Sequence, residues 1–406
     1  MSAVFITHRR QQWPVGHGFF HTASIATDES DRTYRYVYDC GSTSRRLVED
    51  RIERFSFNED MEERDSNLDM LVLSHFHVDH INGVPQLLKE FEVRRLVLPY
   101  LSDDVALAAL AGLAANGLEV WKEFSGLVLN PQQWLQERGR SDAQITRIEP
   151  TDGDGPTPQD APSNNVLDAD IDLPVGKVGH DVSATIGAEG QAFWDFRFYA
   201  HENWERYLLV LAALVDKFPT ATEADLQGWL RDPAWIAAHH ADVTDAFRSI
   251  GSSNQNGITL CMYSGPHHTR MHGGHVHWMA RRFGLPHAWP DYDWHWRDNR
   301  VGWLATGDAE LRDATLFRAF AHHYRSYRGS IDTLSIPHHG SRDNYCAALG
   351  DVGLRAMLTS DDLVDPKDHH PSSEVMLNLQ TKCGPVAIVT SEWDTALFSA
   401  GKLVIR

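Results

Sequence analysis

The chain has 406 residues, of which 42% are hydrophobic and 23% are charged, values typical of a soluble globular protein. Its 37 basic and 56 acidic residues give a net charge of −19, which argues against non-specific duplex binding by the whole surface. No apolar run approaches the ~20 residues that a membrane helix needs, and the N-terminal residues do not resemble a secretion signal. We therefore expect a cytoplasmic protein without a membrane-spanning segment.

The first hundred residues alternate between strand and helix patterns. Strand patterns in "VFITHRRQQW", "GFFHTASIATD" and "TYRYVYDCG" are followed by the helix pattern "SRRLVEDRIERF" and the buried strand "LDMLVLSH". A short helix, "VPQLLKEF", then leads into the strand "VRRLVLP". This order of elements predicts an α/β fold.

Residues 101–250 differ in character from the residues before them. They begin with the helix pattern "SDDVALAALAGLAANG" and later contain two more, "ENWERYLLVLAALVDKF" and "TATEADLQGWL". Between these, residues 151–181 hold seven aspartates and one lysine, which is typical of a solvated loop. We predict a largely helical insertion with an acidic loop, and this insertion is the candidate site for a protein partner.

Strand patterns return at Gly257 and continue to the end of the chain. Five short apolar segments, "ITLCMYS", "VGWLATGD", "DTLSIPHHG", "LRAMLTS" and "VAIVTSE", alternate with the helix patterns "ELRDATLFRAFAHHY" and "SSEVMLNLQ". We therefore expect a single domain over residues 1–406. Its core would be formed by 1–100 and 251–406, with insertions at 101–250 and 265–300.

The segment "LSHFHVDHING" continues the buried strand "LDMLVL" and carries four metal-binding side chains within six residues: His75, His77, Asp79 and His80. A turn after the strand would divide this set between two adjacent metal ions. His75 and His77 would bind one ion, and Asp79 and His80 the other. Imidazole and carboxylate ligands suit zinc, and also manganese or iron. The alternative is a polar loop that happens to be rich in histidine.

The pattern H-x-H-x-D-H after a buried strand is the motif of the metallo-β-lactamase family, and three further segments resemble that family. Asp39 in "YVYDCGS" resembles its early acidic residue, and Asp308 in "WLATGDAE" resembles the aspartate that bridges both metals. The late histidine ligand has a counterpart in "IPHHGS", with His338 and His339. The resemblance implies a metallo-β-lactamase αββα sandwich with two divalent metal ions, zinc or manganese, at the sheet edges.

The resemblance also implies a role for each of these residues. The ligands of the first metal would be His75, His77 and Asp308, and those of the second Asp79, His80, Asp308 and His339. Asp79 would take part in catalysis as well, and Asp39 would support the site structurally. Asn254 stands where many hydrolases of this fold have a third histidine for the first metal. Either that metal binds weakly or a nearby histidine completes its site.

Within the family, the chain resembles the branch of the competence protein ComEC and of phosphorylcholine esterase. "PVGHGFFHTASI" resembles the first strand motif of that branch, with His17 where glutamine is common, and "NQNGITLCM", "PHHGS" and "HHPSSEVMLNL" resemble later motifs. The resemblance implies phosphodiester hydrolysis, with Asn254, His338 and Ser341 facing the substrate. The leaving group would take its proton from His338 or His370, because histidine titrates near neutral pH. His370 is equally well explained as an ordinary residue at the start of a helix.

A second histidine-rich segment, 265–300, connects two of the later strands. It holds seven histidines, four tryptophans and five arginines against three aspartates. Aromatic rings interleaved with arginines suit the stacking of bases and the binding of phosphates. The alternative is a lid that packs its own tryptophans. His267 or His268 is also a candidate to reach the first metal.

These patterns favour a metal-dependent phosphodiesterase. Its substrate would be nucleic acid, DNA or RNA cut at single strands or ends, or a nucleotide, and an effector role in bacterial defence is one setting for such an enzyme. A lactonase, thioesterase or β-lactamase using the same metals is the alternative enzyme class. The non-enzymatic alternative is a subunit in which residues 101–250 bind a protein partner.

Overall fold

The computed structural model of the chain describes residues 4–27, 30–56, 66–151, 173–188, 191–202, 204–251, 257–267, 271–280, 300–361, 370–383 and 386–405. Within these ranges, two mixed sheets lie face to face and helices cover their outer faces. This four-layer arrangement confirms the predicted αββα sandwich. No helix in the described part of the chain is long and apolar enough to cross a membrane.

The first sheet has nine strands. In chain order they are β1 (Val4–Gln12), β2 (Phe20–Thr27), β3 (Ser30–Cys40), β5 (Met70–Val72), β7 (Arg95–Pro99), β8 (Gln144–Glu149), β9 (Gly176–Gly179), β13 (Met271–Ala280) and β18 (Leu397–Ile405). Their order across the sheet is β13-β18-β1-β2-β3-β5-β7-β8-β9. The strands from β3 to β9 run parallel, and the others pair antiparallel. Two short strands, β4 (Asn67–Leu68) and β6 (Glu92–Val93), pair separately.

The second sheet has seven strands, and its second half is parallel. In chain order they are β10 (Ser183–Ala188), β11 (Gln191–Glu202), β12 (Ile258–Pro266), β14 (Gly302–Ala305), β15 (Ile331–Ser335), β16 (Arg355–Thr359) and β17 (Val386–Val389). They lie in that same order across the sheet. The last four strands are parallel, which places their carboxyl ends at one edge.

Eleven α-helices lie in the described ranges. They are α1 (Arg45–Ser56), α2 (Val78–Ile81), α3 (Val84–Glu90), α4 (Asp103–Ala115), α5 (Leu118–Leu129), α6 (Pro131–Gln136), α7 (Trp204–Lys217), α8 (Glu223–Trp229), α9 (Pro233–Ser249), α10 (Ala314–His323) and α11 (Ser373–Lys382). Apolar side chains of α1, α3, α4, α5 and α9 share a core with the first sheet, whereas α10 and α11 pack on the second. Large buried side chains such as Tyr36, Phe196 and Trp303 fill the space between the sheets.

Residues 101–250 contain strands that the sequence analysis did not predict. Besides the six helices α4–α9, the segment contributes β8 and β9 to one edge of the first sheet and β10 and β11 to an edge of the second. The segment is therefore not only a helical appendage. The acidic stretch 152–172 inside it lies outside the described residues.

The carboxyl ends of four parallel strands meet at one end of the sandwich. Ser74, just beyond β5, accepts a hydrogen bond at its carbonyl from the Leu260 N–H of β12, which joins the two sheets there. His338, beyond β15, donates its N–H to the Gly307 carbonyl beyond β14. Side chains that follow β3, β5, β14 and β15 therefore converge on this end.

Candidate metal centre

The first group of candidate ligands is formed by His75, His77 and Asp308. Ligand atoms of the three residues all lie within 4.8 Å of one another, and His75 Nε2 lies 3.4 Å from Asp308 Oδ2. His75 and His77 follow β5, whereas Asp308 follows β14, so that each sheet supplies part of the group. His75 and Asp308 are buried and His77 is partly exposed.

The second group is formed by Asp79, His80 and His339, whose ligand atoms also lie within 4.8 Å of one another. Asp79 and His80 belong to the single turn of α2, and His339 follows β15. Asp79 Oδ2 lies 3.3 Å from His339 Nε2 and 3.7 Å from His80 Nε2. The division of the histidine motif between two groups is thus the one that the sequence analysis predicts.

Asp308 joins the two groups. Its Oδ2 faces His75 and its Oδ1 lies 3.4 Å from His80 Nε2, so each carboxylate oxygen is directed at a different group. Gly307, at φ +50°, makes the turn before Asp308, and a Cβ there would lie 2.4 Å from Thr259 Oγ1. Glycine is required at this position both for the backbone conformation and for the close packing.

Asp39 is connected by hydrogen bonds to both groups, directly to His80 and through Ser74 to His75. It is fully buried and accepts hydrogen bonds from the Ser74 N–H and hydroxyl, each at 2.6 Å, and from His80 Nδ1 at 2.8 Å. The Ser74 hydroxyl in turn lies 2.9 Å from His75 Nδ1. Asp39 has φ +54°, a left-handed conformation that aspartate tolerates better than most residues. The supporting role predicted for Asp39 matches these contacts.

The hydrogen bonds define which imidazole nitrogen is free to bind a cation. Since a carboxylate or a carbonyl can only accept, His80 donates Nδ1–H to Asp39, and His339 donates Nδ1–H to the Thr359 carbonyl at 2.8 Å. The Nε2 atoms of His75 and His80 are buried and have no hydrogen-bond partner. Orphaned imidazole nitrogens facing carboxylates fit divalent metal ions, and this donor set suits zinc or manganese.

The electrostatics of the centre favour a bound cation. Burial opposes the ionisation of Asp308, but His338, His75 and His80 outweigh it and hold the pKa of that carboxyl well below its ordinary value. Burial likewise disfavours the charged form of His80, yet the Asp308, Asp79 and Asp39 carboxylates raise its pKa well above the usual range. The carboxylates that stabilise the protonated form of His80 would also stabilise a divalent cation in the same place.

Metal binding is expected to stabilise the fold, because the two groups exist only in the folded chain. Zn²⁺ or Mn²⁺ added to chelator-treated protein at 100 times its dissociation constant should raise the free energy of unfolding by about 2.7 kcal/mol per site. Denaturant unfolding with and without metal measures this change. Asp308→Asn should show a smaller increase, and an unchanged unfolding midpoint for the wild type would contradict the metal centre.

His338 lies beside the ligand groups without belonging to either. Its Nε2 is 3.8 Å from Asp308 Oδ2, and its ring is partly exposed. His339 thus belongs to the second group of candidate ligands, whereas His338 belongs to neither group. Both residues have positive φ, +47° and +53°, and this turn presents the two rings in different directions.

Asn344 fixes the orientation of His338, and the sequence analysis missed it. The Asn344 amide N–H donates to the Asp308 carbonyl at 2.9 Å, so its oxygen faces His338 Nδ1, also at 2.9 Å. His338 therefore carries its proton on Nδ1 when neutral and directs Nε2 to the centre. No motif marks an asparagine six residues after His338. Ser74 and Thr359 were missed for the same reason, since only the fold brings them to the ligands.

Ser341 and His370 are the other two predicted site residues that the structure describes. Ser341 is buried, and its hydroxyl accepts a hydrogen bond from the Asp343 N–H. His370 does lie near the centre, with its ring centroid 5.0 Å from that of His338. Burial and the neighbouring His338 lower the pKa of His370 to about 4.

The prediction that His267 reaches the first metal is wrong. His267 follows β12 at the end of the sandwich opposite to Ile258, and its Nδ1 lies 2.8 Å from both carboxylate oxygens of Asp195. A strand of nine residues separates it from the ligands by roughly 30 Å. Asn254 and His268 lie outside the described residues, as does 281–299, the part of the histidine-rich segment that holds Trp289, Trp294 and Trp296.

Residues 101–250 contribute side chains that lie next to the first group of candidate ligands. A cavity of about 40 Å³ adjoins His75 and His77, and it is also lined by Val105 and other residues of α4, by Tyr207 of α7, and by Ile258. Its lining is mainly apolar. The helices of this segment therefore bound the centre directly.

Residues 18–161 match the model of the Metallo-beta-lactamase superfamily. Among solved structures, the metallo-beta-lactamase fold protein YhfI from Bacillus subtilis aligns over 96% of this chain and 99% of its own, with 11% identity and a TM-score of 0.34. Unliganded yeast PDE1 aligns over 97% and 99%, with 8% identity and a TM-score of 0.40. No curated protein matches the sequence. Residues 18–161 therefore resemble the Metallo-beta-lactamase superfamily, and the chain has the αββα sandwich expected of that fold.

Proposed function

We propose that the chain is a metal-dependent phosphodiesterase that cleaves nucleic acid, at single strands or ends, or a nucleotide phosphodiester. The observation that carries this proposal is the position of Asp308, whose two oxygens face one ligand group each. A pair of metals held in this way suits in-line displacement at phosphorus. Members of the superfamily are generally metal-dependent hydrolases, and the motifs shared with ComEC and phosphorylcholine esterase support a phosphodiester substrate.

Different residues of this chain would bind the cations and transfer the proton. When bound, two divalent cations supply positive charge that activates a water and stabilises the charge developing on the phosphate oxygens. His75, His77, Asp79, His80, Asp308 and His339 would hold these cations. His338 presents Nε2 to the centre and belongs to neither group. Nε2 of the neutral ring is a proton acceptor, and the protonated ring would donate that proton to the leaving group.

An activity assay with Mn²⁺, Mg²⁺ or Zn²⁺ tests the proposal. Its substrates are single-stranded and duplex DNA, RNA, and bis(4-nitrophenyl) phosphate, with Asp79→Ala/His80→Ala as the control. We expect metal-dependent cleavage that the control lacks, and the preferred substrate separates a nuclease from a small-molecule enzyme. Hydrolysis of lactones or thioesters without any phosphodiester cleavage would identify the alternative enzyme class instead.

Asn344→Ala is expected to lower kcat about 10- to 100-fold with little change in KM, because His338 loses the acceptor that orients its ring. Steady-state kinetics on bis(4-nitrophenyl) phosphate measures the effect. Metal content should stay at the wild-type value. Asn378→Ala is the matched control, since Asn378 accepts a hydrogen bond from the Tyr345 hydroxyl away from the centre. An unchanged kcat in Asn344→Ala would show that His338 needs no such support.

The surface of α7 supports a second proposal, in which residues 101–250 bind a protein partner. Trp204, Leu208, Leu209 and Val215 are all exposed on this one helix. Clustered apolar side chains of this kind mark interaction sites more often than scattered ones do. A partner that co-purifies with the wild type should be lost in Leu208→Glu and retained in Leu377→Glu, a control at an exposed leucine of α11. Equal retention in both variants would exclude α7.

A further inference from the structure

Three imidazoles outside the ligand groups line the open side of the centre: His17, His338 and His370. All three are partly exposed, as are the candidate ligands His77 and Asp79, whereas His75, His80 and His339 are buried. The His370 ring is near both of the others, with centroid distances of 5.0 Å to His338 and 6.1 Å to His17. A ligand that approaches from solvent can therefore contact these three rings.

His17 and His338 flank opposite halves of the centre. His338 stands beside Asp308 Oδ2, the oxygen that faces the first group. The His17 ring stands beside the second group, with its centroid 4.2 Å from that of His339 and the two planes tilted by 41°. His17 is in neither set of clustered ligand atoms in the described part of the chain. Its position suits contact with a ligand that spans both groups.

The loop that carries His17 is held rigidly against the centre. The Phe19 N–H donates to the carbonyl of Asp79, and the Thr43 N–H donates to the carbonyl of His17 at 2.7 Å. Gly18 has φ +147°, and a Cβ there would lie 2.5 Å from the Gly41 carbonyl oxygen. A side chain fixed by such a backbone is positioned before a ligand arrives, which lowers the entropic cost of contact.

We propose that His17 is a substrate-contacting residue that donates a hydrogen bond from its imidazole to a phosphate oxygen on the side of the second group. An imidazole N–H is a suitable donor to an anionic oxygen, and hydrogen bonds to charged groups are the strong ones. His17 would therefore determine how tightly the phosphate is held, and His338 would act on the proton. This inference rests on the proposed phosphodiesterase function for the identity of the ligand.

Two substitutions separate a hydrogen-bonding role from a space-filling one. His17→Phe keeps a ring but has no N–H, and it should raise KM for bis(4-nitrophenyl) phosphate about 10- to 100-fold with a much smaller change in kcat. His17→Gln retains an amide donor and should stay within a few-fold of the wild type. His322→Phe, at an exposed position of α10, should leave both constants unchanged. Binding of inorganic phosphate, measured by calorimetry on the metal-loaded protein, should weaken in His17→Phe by a similar factor.

The outcomes separate this inference from the proposed function. Unchanged KM and unchanged phosphate affinity in His17→Phe overturn the contact, and so does the loss of one metal equivalent, which would make His17 a metal ligand. If the wild type cleaves no phosphodiester but binds inorganic phosphate through His17, the inference stands and the proposed function fails. A wild type that neither cleaves phosphodiesters nor binds phosphate overturns both.

Discussion

Asp308→Asn is expected to lower kcat/KM for phosphodiester hydrolysis by about 10³-fold or more and to reduce the metal content from two equivalents to one or none. Asparagine preserves the size of the side chain but replaces one charged oxygen by a nitrogen that carries hydrogens. That nitrogen cannot coordinate a metal ion, so one of the two groups loses a ligand. Asp308 then no longer connects the two groups. Kinetics and elemental analysis on the same preparation measure both effects.

A buried carboxylate outside the centre provides the matched control. Asp332 in β15 is as buried as Asp308 and lies 3.3 Å from Arg355 Nε. Asp332→Asn should therefore alter stability but keep both metal equivalents and the wild-type rate. If Asp308→Asn retained two metals and full activity, the shared carboxylate would have no role in the centre.

Asp39→Ala is expected to lower the free energy of unfolding by about 3–5 kcal/mol, the cost of removing one partner from a buried charged network. His80 Nδ1 and the Ser74 N–H would both lose their acceptor in a site with no access to water. Alanine is also less suited than aspartate to the positive φ at this position. Denaturant unfolding measures the stability.

The metal affinity separates this support from general destabilisation. Asp39→Asn keeps the backbone conformation but removes the charge that polarises His80, and it should weaken metal binding about 10- to 100-fold. The control is Asp69→Asn, at the opposite end of β5, where the carboxylate accepts the Arg35 N–H and binds Arg32. It should destabilise the fold without changing metal affinity. Equal metal affinity in both variants would assign Asp39 a purely structural role.

The core of the fold and the histidine motif after β5 follow from local sequence patterns, because short apolar strands with polar residues directly after them are visible in the sequence. Asp308 and His339 were predicted from the resemblance to a known family, since neither residue stands out in its own segment. The parallel strands end at one edge of their sheets, which explains why these distant residues converge. The structure brings all six predicted ligands into the two groups.

Features that depend on packing between distant segments were not predictable in this way. β8–β11 lie among helix patterns and an acidic stretch, and only pairing along the sheet edges reveals them as strands. The wrong placement of His267 has a related cause. The direction of β12, which carries His267 away from the centre, is set by its antiparallel pairing with β11 and β14. Asn344 acts through two hydrogen bonds, and no spacing of residues in the sequence indicates them.

The most direct test of the central claim is a metal titration of chelator-treated protein, followed by hydrolysis of bis(4-nitrophenyl) phosphate at each step. The account predicts that Zn²⁺ or Mn²⁺ binds to two equivalents per chain and that hydrolysis rises with occupancy of the pair that Asp308 joins. Hydrolysis that persists without metal, or two bound equivalents that produce no phosphodiester cleavage, would contradict it.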